Sequence, residues 1–196
     1  MAGPGRLSVD LAGRSVVVAL SGGADSAVAA ATAVERAMSA RAVHVHHGFA
    51  GSDDLAAAAR LVASQLDLPL TVIEVAPDGV SETAARQVRR TALLGSLGPD
   101  EVLVTGHTAD DQAETVLHRI IRGSGPEGVA AMSADDGTIL RPLLDLRRDE
   151  VRAIAVSRGF GFVDDPENDE RRHLRNRIRH EHLPGLAEEN PSIVPA

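Results

Sequence analysis

The chain has 196 residues, 28 of them acidic and 20 basic, for a formal charge of −8, with no Cys, Trp or Tyr and three Phe. That length allows one ordinary globular domain, and no apolar run approaches the roughly 20 residues that span a bilayer, so no membrane partner is expected. Lacking cysteine, the chain has no disulfide, thiolate zinc site, persulfide or cysteine nucleophile; lacking lysine, it has no Schiff base; and its acidic balance with few aromatic rings confines any RNA contact to local patches.

Residues 1–10 contain no apolar stretch flanked by bases. They do not read as a secretion signal, and the expected location is the cytoplasm. Residues 14–20 (RSVVVAL) then open a series of short, Val-rich runs that continues at 41–46, 70–75 and 101–105. Such runs suit strands buried on both faces of a parallel sheet. Between them, residues 25–39, 53–66, 81–97 and 109–122 carry Ala-rich helical spacing. The alternation predicts an α/β fold, a Rossmann-like parallel sheet flanked by helices on both faces, with ligands beyond the carboxyl ends of the strands.

Residues 123–128 (GSGPEG) form a turn cluster, 138–144 (TILRPLL) read as an edge strand, and 147–158 as a helix. Residues 164–170 (DDPENDE) are acidic and turn-like, and 171–182 (RRHLRNRIRHEH) are basic. The stretch 184–196 contains three prolines and is expected to be extended.

The first strand runs into Ser21, Gly22, Gly23, Ala24, Asp25 and Ser26 and then directly into a helix. Small residues let backbone N–H groups approach an anion, and a helix N-terminus adds unpaired donors and roughly half a positive charge. Pyrophosphate suits that cradle. The loop is not a Walker A loop, because the lysine is missing. With Asp25 and Ser26 acting only as helix caps, the same residues would be an ordinary turn.

A second cluster follows the strand at 101–105: Gly106, His107, Asp110, Asp111, Gln112 and Glu114. Helical spacing places Asp111 and Glu114 on one face. Acidic first turns are also common simply because they complement the helix dipole.

The sequence SGGADS after the first strand resembles the PP-loop of the N-type ATP pyrophosphatases, which cleave ATP between the alpha and beta phosphates. With HxxDDQxET at 107–115, RGSGPxG at 122–128, RPLL at 141–144 and DPENDERRHLRNRIR at 165–179, the chain is similar to the catalytic domain of the tRNA(Ile)-lysidine synthetases. The resemblance implies the adenine nucleotide alpha hydrolase-like PP-loop fold over residues 1–184, with 185–196 a tail that begins a further C-terminal region. It implies ATP and Mg2+ as cofactors, and as partners free L-lysine and tRNA(Ile) with a CAU anticodon, whose wobble cytidine is adenylated and then joined to lysine. A homodimer is left open.

The same resemblance implies residue roles. Ser21, Gly22, Gly23, Ala24, Asp25, Ser26 and His47 would hold ATP, and Asp25 with Asp110 would hold magnesium. Asp25, His107, Asp110, Asp111 and Glu114 would be catalytic. Arg86, Arg122, Arg141, Arg175, Asn176 and Arg179 would meet the tRNA. Thr108, Arg90 and His173 depart from the family's residues, which puts the tRNA contacts in question more than the ATP site. A thiolase would need cysteines. Another PP-loop adenylating enzyme, or a nucleotide-binding module without turnover, are the alternatives.

Overall fold

The computed structural model describes residues 7–48, 51–75, 82–125, 130–165, 171 and 173–194. Five parallel strands form one sheet in the order β3-β2-β1-β4-β5: β1 Ser15–Ala19, β2 Ser39–His46, β3 Leu70–Glu74, β4 Glu101–Val104 and β5 Ile139–Leu140. The chain adds strands outward on one side of β1, then crosses to place β4 on the other side. That reversal leaves a crevice beyond the ends of β1 and β4, which is where open α/β sheets bind ligands.

Alternate residues of the Val-rich strands feed two cores, so the continuous apolar runs have a direct cause. Val16 and Val18 pack with the helices α1 (Ala24–Arg36), α2 (Ser52–Gln65) and α5 (Arg148–Ser157), while Val17, Val43, Val45 and Leu103 face α3 (Glu82–Gly95). Burying each of these valines contributes about 1.5–3 kcal/mol. Six of the nine buried residues of α1 are alanine, which lets the helix lie close to the sheet and holds its first turn at the crevice.

The helix expected over 25–39 stops at Arg36, because Ala37 is already extended and β2 begins at Ser39. The edge strand expected at 138–144 is reduced to two residues; beyond it Leu143 is fully buried and the chain turns into α5. The stretch expected to be extended from Pro184 is helical as far as Glu189. A short helix α6 (Leu174–Arg177), a π-helical segment Ile178–His182 and α7 (Leu183–Glu189) follow one another without a break. Pro184 follows directly on the π-helical segment, inside this continuous run, so its missing N–H leaves a carbonyl of the preceding turn without its usual helical donor. Ile178, Leu183 and Val194 pack against Ala109 at the start of α4 (Ala109–Ile121), which fastens this segment over the crevice.

Candidate active site

The loop after β1 has a backbone that only glycine can supply. Gly22 has φ +97°, and a Cβ there would collide with the carbonyl of Leu55. Gly23 caps α1 without a side-chain hydrogen bond. The Ser26 hydroxyl folds back into the loop, donating to the Gly23 carbonyl at 2.8 Å and accepting from the Ser21 N–H at 3.1 Å. Ser26 thus shapes the cradle, and the amides at the helix N-terminus face the crevice, as anion binding requires.

The second cluster is pressed against this loop. Gly106 lies so close that a Cβ on it would fall 2.5 Å from the Asp25 carbonyl oxygen. His107 shares a 2.8 Å hydrogen bond with the Thr105 hydroxyl, and burial pushes its imidazole down to about 4, so it is neutral at pH 7. Asp111 completes a capping box on α4, its Oδ2 accepting from the Thr108 N–H and hydroxyl at 2.9 Å each.

Three arginines converge on the same acids. Glu114 is fully buried and accepts four N–H contacts: from Arg148 at 3.0 Å, from Arg175 at 2.9 Å and from Arg179 at 2.7 and 3.1 Å. Asp111 Oδ1 faces Arg148 at 3.1 Å and Arg175 at 3.4 Å. Burial alone would raise the Asp111 carboxyl, but Arg148, His107, the Thr108 N–H and Arg175 outweigh it and hold it at about 2. Burial would likewise raise Glu114, and the arginines, led by Arg179, bring it below its ordinary value.

Asp25 is the opposite case. Burial, reinforced by the charge of Asp111, pushes its carboxyl up to about 6, and its nearest cation, Arg148, is 3.9 Å away. A carboxylate beside a phosphate cradle with so little compensation is suited to a divalent cation, which would favour its ionised form.

Not every expected residue joins this group. Asp110 turns toward α5, accepting the Arg148 backbone N–H at 2.7 Å and the Arg147 guanidinium at 3.3 Å, so it serves as a cap for that helix. A magnesium ion at Asp110, as expected beside Asp25, would share these carboxylate oxygens with Arg147 and Arg148. Arg141 is buried, with its guanidinium held by the Ser133 carbonyl at 2.5 Å and Asp136 at 3.0 Å, which ties down the loop before β5. Asn176 is buried on α6. Arg86 on α3 and Arg122 at the end of α4 are exposed. His47 accepts the Arg89 Nε–H at 3.0 Å, and burial together with Arg89 brings its imidazole to about 4. Of the turn at 123–128, residues 126–128 lie outside the described residues, as do 166–170 and 172 of the later basic motif.

Sequence reasoning passed over Arg147 and Arg148 as site residues. A signal for the two arginines existed: they stand at the start of a helix, where the dipole favours acids and disfavours cations, so a neighbouring acidic partner should be sought. Behind Glu114 lies a cavity of about 150 Å³, walled by Asp110, Arg147, Arg148 and Arg179 on one side and by Leu183 and Val194 on the other.

The PP-loop domain family matches residues 5–186. A tRNA(Ile)-lysidine synthase from Pseudomonas aeruginosa is 41% identical over 189 residues, covering 90% of this chain and 43% of the relative. One from Vibrio vulnificus is 40% identical, covering 91% and 44%, and one from Alkalilimnicola ehrlichii is 43% identical, covering 89% and 42%. The chain therefore spans less than half the length of these relatives. Among solved structures, an NH3-dependent NAD synthetase from Campylobacter jejuni matches with a TM-score of 0.51 at 17% identity, over 92% of this chain and 80% of that one, a likeness of fold.

Proposed function

The chain belongs to the PP-loop domain family, and from that premise we propose that it carries the catalytic site of a tRNA(Ile)-lysidine synthase, using ATP to join lysine to the wobble cytidine of a CAU-anticodon tRNA. The observation that carries this reading is the contact between the Ser21–Ser26 cradle and the Asp111, Glu114 and arginine cluster across the switch point of the sheet. The similarity to lysidine synthases over nine-tenths of the chain supports it.

In the first half-reaction the cytidine O2 bonds to the alpha phosphorus of ATP. The alpha-to-beta P–O bond breaks, and its electron pair leaves on pyrophosphate. The loop amides and the N-terminus of α1 hold the departing phosphates, and Asp25 supplies one carboxylate for magnesium, whose charge would neutralise them. In the second half-reaction the lysine side-chain ammonium passes one proton to solvent, the neutral amine bonds to C2 of the adenylated cytidine, the C2–O bond breaks with its electron pair leaving on AMP, and the attacking nitrogen loses its second proton to solvent. Asp111, at about 2, is a poor proton acceptor; it acts by charge. The cavity behind Glu114 offers arginines for a carboxylate and apolar walls for an aliphatic stem, which suits free lysine. Because Glu114 already accepts from three arginines, the lysine ammonium reaches it only by displacing one of them.

The test is mass spectrometry of CAU-anticodon tRNA(Ile) incubated with the protein, Mg2+, ATP and lysine. Lysine attached at the wobble cytidine is the expected product. Pyrophosphate release with a different acceptor points instead to another PP-loop adenylating reaction, and nucleotide binding without release points to a binding module.

A further inference from the structure

Beyond α5 the chain runs back across the loop that follows β1, and there the Val163 N–H donates to the Gly22 carbonyl at 3.0 Å. The Gly22 C=O and the Gly23 N–H share one trans peptide plane and therefore point in opposite directions. With the carbonyl held by Val163, the Gly23 N–H is turned to the other side, toward the hydroxyl of exposed Ser21 at 3.5 Å. Ser21 and Gly23 are donors that a phosphate in this loop would meet.

That plane joins two glycines and is easily turned over. Turning it would carry Gly23 from φ −86° into the positive-φ region, which glycine tolerates. The Gly22 carbonyl would then face the anion in place of the Gly23 N–H, and an attraction would become a repulsion. Ser26 does not prevent this, because its hydroxyl holds the Gly23 carbonyl and the Ser21 N–H, which belong to the neighbouring planes.

The donor from Val163 is itself tethered. Arg152 of α5 grips Asp164 with two parallel hydrogen bonds, at 2.7 and 2.9 Å, and its guanidinium lies 5.0 Å from the centre of the Phe162 ring. Arg152 thus anchors both neighbours of Val163. Phe160 and Phe162 also pack on the main core, and Gln65 of α2 donates to the Gly159 carbonyl at 2.9 Å.

Resting on the nucleotide reading above, we infer that residues 159–164 are a positioning strap for the phosphate loop. The Val163 N–H selects the orientation of the Gly22–Gly23 peptide that binds the departing phosphates, and the Arg152–Asp164 pair holds the strap in place. Arg152 and Asp164 are positioning residues that act through Val163.

Calorimetric titration of wild type, Val163→Pro, Val163→Ala and Asp164→Ala with Mg2+·pyrophosphate tests this, with thermal unfolding as the control for fold. Val163→Pro removes the donor, and affinity should fall about tenfold or more, the effect of losing one hydrogen bond to a charged group. Val163→Ala keeps the donor and should lose far less. Asp164→Ala separates tethering from charge: by charge alone, deleting an acid and releasing Arg152 would strengthen the binding of an anion. Loss of the tether should instead weaken it by about two- to fivefold, the range of an exposed ion pair. Full affinity in Val163→Pro, equal losses in Val163→Pro and Val163→Ala, or unchanged or tighter binding in Asp164→Ala each overturns the inference. If Val163→Pro does not unfold cooperatively, Asp164→Ala decides. Wild-type protein that binds no Mg2+·pyrophosphate overturns the nucleotide reading itself.

Discussion

Two aspartates 86 positions apart in sequence share one crevice and respond to it in opposite ways. Asp111 is charge-compensated, and its carboxyl lies at about 2, below its unfolded value of 3.8. Its ionised form therefore stabilises the fold at neutral pH, and that contribution is lost as the pH falls from about 4 toward 2. Asp25, raised to about 6, disfavours the fold once ionised, so its cost appears as the pH climbs from about 4 through 6. Replacement by Asn should accordingly shift unfolding in opposite directions at pH 7. Asp111→Asn should destabilise by about 2–4 kcal/mol, because the amide cannot accept from both Thr108 and the arginines and leaves buried cations unpaired. Asp25→Asn should stabilise by about 1 kcal/mol, a figure discounted for its partial exposure. Thermal melts at pH 7 and pH 4 read both effects, and the Asp25 gain should disappear at the lower pH. A destabilised Asp25→Asn at pH 7 would contradict the account of its carboxyl. Both residues were legible in the sequence as site candidates. Their opposed environments were not, because these depend on Arg148 and Arg175, which lie 37 and 64 positions from Asp111.

At the level of elements, the order of strands and helices was readable because each buried strand announced itself as a valine run. The switch point was readable only indirectly, through the two motifs that follow β1 and β4. What joins those motifs is a backbone contact that leaves no pattern in side chains: Gly106 packed on the carbonyl of Asp25 and the N–H of Ser26. Gly106→Ala should push the start of α1 away from β4, since backbone on both sides cannot yield as a flexible side chain can. The expected cost is about 1–3 kcal/mol in stability, with Mg2+·ATP affinity reduced at least tenfold because the loop amides are displaced. Calorimetry together with a chemical unfolding curve checks this. Full affinity in a folded Gly106→Ala protein would mean that the loop does not depend on its contact with β4. The overestimate of α1 has a similar origin: residues 37–39 are compatible with helix, but the pairing of Ser39 with Ser15 recruits them into β2.

Over the whole molecule, a formal charge of −8 would have to coexist with the proposed recognition of a polyanion. The basic run 171–179 looks from its sequence like an RNA patch, or like a helix neutralised by the acidic stretch before it. In the structure the central guanidinium groups of Arg175 and Arg179 instead reach Glu114, 61 and 65 positions away. Periodicity and local charge could not reveal this, because the pairing is made by the fold bringing α6 onto α4. Of the arginines expected to meet tRNA, Arg141, Arg175 and Arg179 are committed to acids, whereas Arg86 and Arg122 are exposed. Each phosphate neutralised by an exposed arginine steepens the salt dependence of binding by about 0.7–0.9 in a plot of log affinity against log salt. If Arg122 meets the tRNA backbone, Arg122→Gln should flatten that slope by about one such unit and weaken binding evenly across tRNA sequences, with no change in the unfolding temperature. Arg175→Gln should do the reverse, lowering the unfolding temperature by leaving Glu114 undercompensated in a buried setting. Filter-binding isotherms at several salt concentrations separate the two, and an unaltered slope in Arg122→Gln takes Arg122 out of the interface.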